Sequence, residues 1–385
     1  MLRFSGEKKT QKERENIGRS SALAREKSRS IQYINKLRIC AVYAVVTGHI
    51  AIWATDPPDW MTDAGDIATP LIAPLSVNWW IGKWIHLTCL SAIPLFVMIS
   101  GALLLDDSRT ESAWSFYKRR MQRIGIPLVF WTIVYLIIRK VVDAEDLTVG
   151  RAAELILTAD PYYHLWFLWM IPGLYLVTPP LRVFVRNSTS TERILLIALI
   201  FLLASVYSPI NNLFLGNRRS IFTIFIPYIA YYMAGYEIRH IDPAKVPFKY
   251  LVAAVAICAV YIIVLAGPFI DLLSKGKAGF LYDGFSPPVI AMGMGIFWAA
   301  YLIDRRTKPL RGIPKTAVEW MASTTLGIYV LHPMVLSYMR YRFSDESAEG
   351  GFLFTVTVGP LVAFIACYLI ASLIINIPFL RRTIT

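Results

Sequence analysis

The chain has 385 residues, 56% hydrophobic and only 17% charged, where a soluble domain carries nearer a quarter of charged residues. Its formal net charge is +13, but most lysines and arginines fall between apolar runs, where a membrane protein keeps its cytoplasmic loops. Composition and charge pattern exclude a soluble enzyme and argue against nucleic-acid binding; they predict an all-α, polytopic membrane helix bundle without a soluble domain.

In chain order, residues 1–33 are polar and basic and lack the apolar core of a cleavable signal peptide. They read as a disordered cytoplasmic tail, either in contact with anionic lipid headgroups or simply solvated. Residues 34–380 form a single transmembrane domain. Ten runs in it are long enough to span a bilayer: 35–54, 82–105, 121–142, 162–182, 193–209, 219–237, 249–268, 285–303, 319–340 and 352–376. Pro227 interrupts the sixth. The basic loops, such as Lys118, Arg119 and Arg120 or Arg305, Arg306 and Lys308, place both termini in the cytoplasm. Acidic residues, among them Asp56, Asp59, Asp63 and Asp66, collect on the other side. No internal repeat of the kind common in secondary transporters is visible. The four cysteines, Cys40, Cys89, Cys258 and Cys367, lie apart inside apolar segments and read as packing residues rather than disulfides or metal ligands. No metal site is expected.

The first span, Lys36-Leu37-Arg38 to Gly48-His49-Ile50, carries an ionisable side chain that is costly in hydrocarbon and therefore a functional candidate. Eleven helical residues turn through ~1100° and rise ~16 Å, so His49 returns to within ~20° of the face of Arg38. With Arg38 at the membrane surface, the imidazole sits near mid-bilayer, where it can accept and return a proton as a general base. The second span holds His86 and the stretch Pro94-Leu95-Phe96 to Ser100-Gly101, whose small residues suit close helix packing. At the inner start of the third, Arg120 and Arg123 are three apart and share a helix face. Two adjacent guanidinium forks bind phosphate well, although basic residues at a helix end are also plain topology signals. The fourth span opens with His164-Leu165-Trp166-Phe167, where Trp166 is either an interfacial belt residue or a surface for stacking a sugar. The ninth holds Tyr329 and His332. Tyr329, His332, Ser100 and Thr47 are all candidates to orient His49, and no buried carboxylate lies at its depth.

Taken in register, these segments resemble the acyltransferase 3 family of integral membrane acyltransferases. Arg38 to His49 is similar to the family's Arg-ten-residues-His signature. Pro94-Leu95-Phe96 to Ser100-Gly101 is similar to its second-helix motif, and Arg120-Met121-Gln122-Arg123 to its Arg-x-x-Arg motif. His164-Leu165-Trp166-Phe167 and Gly327-Ile328-Tyr329 to His332-Pro333 complete the pattern. The nearest likeness is to the stand-alone branch that includes enterobacterial common antigen O-acetyltransferase.

The resemblance implies a bacterial inner-membrane O-acyltransferase with no permanently bound cofactor. Such an enzyme moves an acyl group, most often acetyl, from cytoplasmic acyl-CoA to a hydroxyl of an envelope glycan or lipid-linked saccharide. It implies His49 as catalytic base and Arg38, Arg120 and Arg123 as ligands of the coenzyme A phosphates. Ser100, His164, Trp166, Tyr329 and His332 would bind substrate or support the site. The chain as given ends after the tenth span, without the hydrolase-like domain fused to many members. Either the bundle acylates the acceptor itself or a separate extracytoplasmic protein finishes the transfer. The competing readings are a proton-coupled transporter or flippase of envelope precursors, and a membrane cytochrome with His49 and His332 as haem ligands. Acceptor, acyl group and oligomeric state are not legible in the sequence.

Overall fold

The computed structural model describes residues 32–55, 76–106, 111–216, 219–242, 283–343 and 351–384. Every regular element among them is a helix. They are α1 (Gln32–Thr55), α2 (Val77–Cys89), α3 (Ala92–Leu104), α4 (Ala113–Val141), α5 (Val149–Leu157), α6 (Trp166–Asn187) and α7 (Ser190–Phe214). Then follow α8 (Tyr228–His240), α9 (Pro287–Arg306), α10 (Gly312–Ser323), α11 (Thr325–Phe343), α12 (Phe352–Ile375) and the short α13 (Pro378–Arg381). Among the described residues seven helices are long and apolar enough to cross a membrane: α1, α2 with α3 as one unit, α4, α6, α7, α9 and α12. The protein is a polytopic helical membrane protein. The expected span 249–268 and the 1–33 tail, apart from its last two residues, lie outside the described residues, as does Cys258.

Three expected spans are built differently from continuous helices, each for a local reason. The run 82–105 is two helices that meet at Leu90 and Ser91. Pro94 has no N–H for the Leu90 carbonyl, so the ladder cannot run through. The run 219–237 is helical only from Tyr228. Residues 220–229 form successive short turns, with Thr223 N–H bonded to Ser220, Ile226 to Thr223 and Ile229 to Ile226. At 13 residues, α8 is ~20 Å long and falls short of a ~30 Å hydrocarbon core by itself. The run 319–340 breaks at Thr324, between α10 and α11. There the Thr324 and Thr325 hydroxyls bond back to the Met321 and Ala322 carbonyls, an alternative to helix continuation that Ser and Thr readily offer. The fourth expected span, 162–182, starts late, at Trp166, and runs on to Asn187.

The tightest crossing is α3 against α8. A methyl group added at Gly101 would lie 1.7 Å from the Tyr232 carbonyl oxygen, and one at Gly235 would lie 2.0 Å from that of Met98. Reciprocal glycines therefore let two backbones touch, the usual route to helix association where lipid removes the hydrophobic incentive. Two cations, Arg182 buried and Arg239 half-buried, then close the exposed carbonyls at the end of α3. Arg182 donates to Leu104 O at 2.7 Å and Arg239 to Ala102 O at 2.5 Å, in keeping with the negative end of a helix dipole. Around this pair, α4 is tied to α11 by Tyr135, whose hydroxyl donates to Val330 O at 2.6 Å. Trp131 ties it to the C-terminal turn, donating to Thr383 O at 2.8 Å. Gly327 admits α12, since a methyl there would meet Ala371 Cβ at 2.8 Å.

Candidate active site

His49 stands on α1 one residue after Gly48. A methyl at Gly48 would come within 2.9 Å of Cys89 Cβ, so the glycine is what lets α2 lie against α1. His86 on α2 reaches the Gly48 carbonyl through Nδ1 at 3.2 Å. The His49 ring is held by its own helix, with Nδ1 2.8 Å from Val45 O. A carbonyl oxygen only accepts, so in the neutral ring Nδ1 carries the proton and Nε2 keeps a lone pair. The expected orienting residues do not perform this task. Ser100 donates to Phe96 O at 3.0 Å and Thr47 to Tyr43 O at 2.9 Å, each satisfied within its own helix.

His332 does lie beside His49, but as a ring neighbour: the two ring centroids are 5.0 Å apart at 36°. The rings are tilted against each other at that distance, without the slot that a porphyrin between two axial histidines would need. His332 is fully buried and likewise turns Nδ1 to a main-chain carbonyl, that of Tyr329, at 2.5 Å. His164 sits edge-on to His332 at 5.3 Å. Its backbone carbonyl accepts from the Tyr329 hydroxyl, which is how the turn before α6 is pinned to α11. Three histidines from α1, the α6 approach and α11 thus form one group. His164 is 2% exposed, and among the described residues neither of its ring nitrogens has a hydrogen-bond partner, nor has His332 Nε2. Buried polar atoms left without partners cost ~1–3 kcal/mol each, and natural proteins keep them where a ligand or water completes the set. Among the described residues no group of three His, Cys, Asp or Glu is arranged to hold a metal ion.

Two aromatic residues that the sequence reading passed over complete the walls. Tyr163 packs on His49 at 5.2 Å, and Tyr135 lies edge-on to His164 at 4.7 Å. The only sequence signal for Tyr163 was the run Tyr162-Tyr163-His164, which looks like ordinary interfacial aromatic composition, and Tyr135 is one apolar-span aromatic among many.

A cavity of about 1070 Å³ reaches this group. His49, His164, His86 and Tyr329 line its inner part, and Trp166, Ser208, Asn211, Arg219 and Asp283 line the part away from Arg38. Its walls do not include Arg38, Arg120 or Arg123.

Those arginines gather at the opposite end of α1. Arg38, Arg120 and Arg123 all lie within electrostatic range of the Tyr175 phenol and of one another. Arg120 lies over the Phe116 and Tyr175 rings at 5.6 and 5.9 Å. The nearby carboxylate of Glu111 is taken by Arg119 and Arg182. Among the described residues neither Arg38 nor Arg123 forms an ion pair or a side-chain hydrogen bond, and gathered cations repel one another.

The geometry therefore presents two poles on one helix. One is a cation cluster; the other is a histidine group at the floor of a cavity. No curated protein and no solved structure matches the chain. The family model described as an acyltransferase domain, that of acyltransferase 3, matches residues 31–381. The match takes in both poles and nearly the whole chain. The protein belongs to the acyltransferase 3 family and is a multi-pass membrane acyltransferase.

Proposed function

We propose that the protein is an O-acyltransferase in which His49 is the general base. The donor is a cytoplasmic acyl-CoA, most simply acetyl-CoA, and the acceptor is a hydroxyl of an envelope glycan or lipid-linked saccharide. The observation that carries this reading is the pose of His49, with Nδ1 spent on Val45 O and the ring on the cavity wall, so that Nε2 is the atom left for a proton. In the reaction, Nε2 takes the acceptor hydroxyl proton as that oxygen attacks the thioester carbonyl carbon. The tetrahedral intermediate then collapses, the C–S bond breaks, and the imidazolium returns the proton to the departing thiolate. His164 lines the same cavity and its ring nitrogens have no partner among the described residues, so its ring N–H is suited to stabilise the oxyanion.

Arg38, Arg120 and Arg123 bind the phosphates of coenzyme A by charge-assisted contacts. The ~16 Å rise between Arg38 and His49 is a distance that an extended pantetheine arm bridges. Ser100 serves packing and His332 supports the His49 ring, while Trp166 and Tyr329 bound the acceptor side. Both termini face the cytoplasm of a bacterial inner membrane. Within the family, the reading places the protein nearest the branch that includes enterobacterial common antigen O-acetyltransferase.

The test is acyl-CoA turnover by the purified chain in nanodiscs. His49→Ala should lower transfer by about 10²–10⁴-fold with an unchanged thermal unfolding profile. Wild-type turnover in a folded His49→Ala protein would remove His49 as base.

A further inference from the structure

The far part of the cavity holds charged groups that the acyl-transfer chemistry does not use. Arg219 lies over the Trp166 indole, with its guanidinium 5.5 Å from the ring centroid. Among the described residues it forms no ion pair and no side-chain hydrogen bond, although it is within electrostatic range of Asp160. Asp283, on the same cavity wall, is already engaged. The Ser208 hydroxyl donates to it, and its own turn supplies the Phe285 N–H at 3.4 Å. That turn is clamped by Ser205, donating to Phe285 O at 2.7 Å, and by Tyr231, donating to Gly284 O at 2.6 Å. The wall thus offers a carboxylate fixed by hydrogen bonds, and a guanidinium whose donors remain open. Trp166 lies two residues beyond His164, which also lines the cavity and carries two buried ring nitrogens without partners among the described residues.

The geometry points to an acceptor subsite that selects a saccharide bearing an anionic group, a carboxylate or a phosphate, held by Arg219 against Trp166, with Asp283 and Ser208 receiving its hydroxyls. A guanidinium stacked on an indole loses little freedom when its fork closes on an oxyanion. At about 1070 Å³ the cavity is at the upper end of the range for small-molecule sites, roomy enough for more than one sugar ring. An acceptor anchored there directs its next ring toward His164 and His49. This inference rests on the acyl-transfer reading of the histidine group, which it extends by naming the acceptor's charge.

The test measures binding to the full chain in nanodiscs by calorimetry. The probes are a hyaluronan tetrasaccharide, its carboxyl-reduced neutral form and an undecaprenyl phosphate. The charged tetrasaccharide binding more tightly than its neutral twin identifies a sugar carboxylate; undecaprenyl phosphate alone binding identifies a lipid-linked phosphate. In either case Arg219→Gln should weaken the charged probe by about tenfold or more, the worth of one charge-assisted contact. Arg219→Lys should recover part of the loss. Acetyl-CoA binding should be unchanged in both variants, as should thermal unfolding, since the side chain is exposed. Equal binding of charged and neutral forms, binding of none of the probes, or a preference that survives Arg219→Gln would overturn the proposal. A wild-type chain that shows the charge preference but never consumes acetyl-CoA would sink the acyl-transfer reading and leave the anion subsite standing.

Discussion

At the scale of single residues, the contrast between the two poles of α1 is one of satisfied and unsatisfied polar groups. Arg182, Arg239 and Arg193 are buried or half-buried cations with named acceptors, Arg193 pairing with Glu237. They hold helix ends together, as buried charges must to offset desolvation. Arg38 and Arg123 stand only a few side chains away without such partners. The expected consequence is a split in kinetics. Arg38→Gln and Arg123→Gln should each raise the KM for acyl-CoA by about tenfold, at the low end of a charge-assisted contact, with kcat little changed because the loss is of uniform binding. Steady-state turnover against acyl-CoA concentration checks this, and an unchanged KM in both variants would return the cluster to a topology signal. The same reasoning separates histidines that looked alike in the sequence. His240 bonds its own helix at Tyr236 O, 2.8 Å away, in an exposed position, whereas His164 keeps two buried nitrogens open.

At the scale of elements, the bundle depends on where helices are allowed to break and where they are allowed to touch. Pro94, Pro227 and the Thr324-Thr325 pair interrupt spans that hydropathy alone reads as continuous. Glycines do the opposite and bring elements together. Gly101 should be the least tolerant of them, because what a methyl would meet is the Tyr232 backbone, which cannot swing aside. Gly101→Ala should cost about 1–3 kcal/mol or more by overpacking, seen as a clear drop in thermal unfolding temperature in nanodiscs. Gly125→Ala on α4 is the matched control. Its methyl would have only Met121 Cε, at 3.8 Å, within reach, and helix propensity favours alanine there by ~1 kcal/mol. Equal tolerance of the two changes would mean that α3 and α8 do not cross as described.

At the scale of the whole molecule, the proposed chemistry needs the two poles on opposite faces of the membrane. Val149 on α5 is 89% exposed and belongs to the end away from the arginines, while Ser112 caps the start of α4 at the arginine end. In a background with Cys40, Cys89, Cys258 and Cys367 replaced by alanine, Val149→Cys should react with a membrane-impermeant maleimide on intact cells. Ser112→Cys should react only after permeabilisation. The reverse pattern would invert the bundle and place the cavity, not the arginines, toward the cytoplasm.

The sequence by itself determined the class of protein, because hydrophobic run length and charge placement are local properties that a bilayer constrains directly. It also brought out His49, since eleven residues of helix are enough to relate it to Arg38, and it singled out Ser100-Gly101 as a packing site. What only the tertiary structure decided is which distant residues meet. His332 on α11 meets His49 on α1, and His164 before α6 meets His332. Arg219 finds Trp166, and Glu111 is claimed by Arg119 and Arg182 while Arg38 and Arg123 are left open. Such meetings follow from how closely backbones can approach and where helices break. These are properties of pairs of segments far apart in the chain, and no periodicity within either segment encodes them.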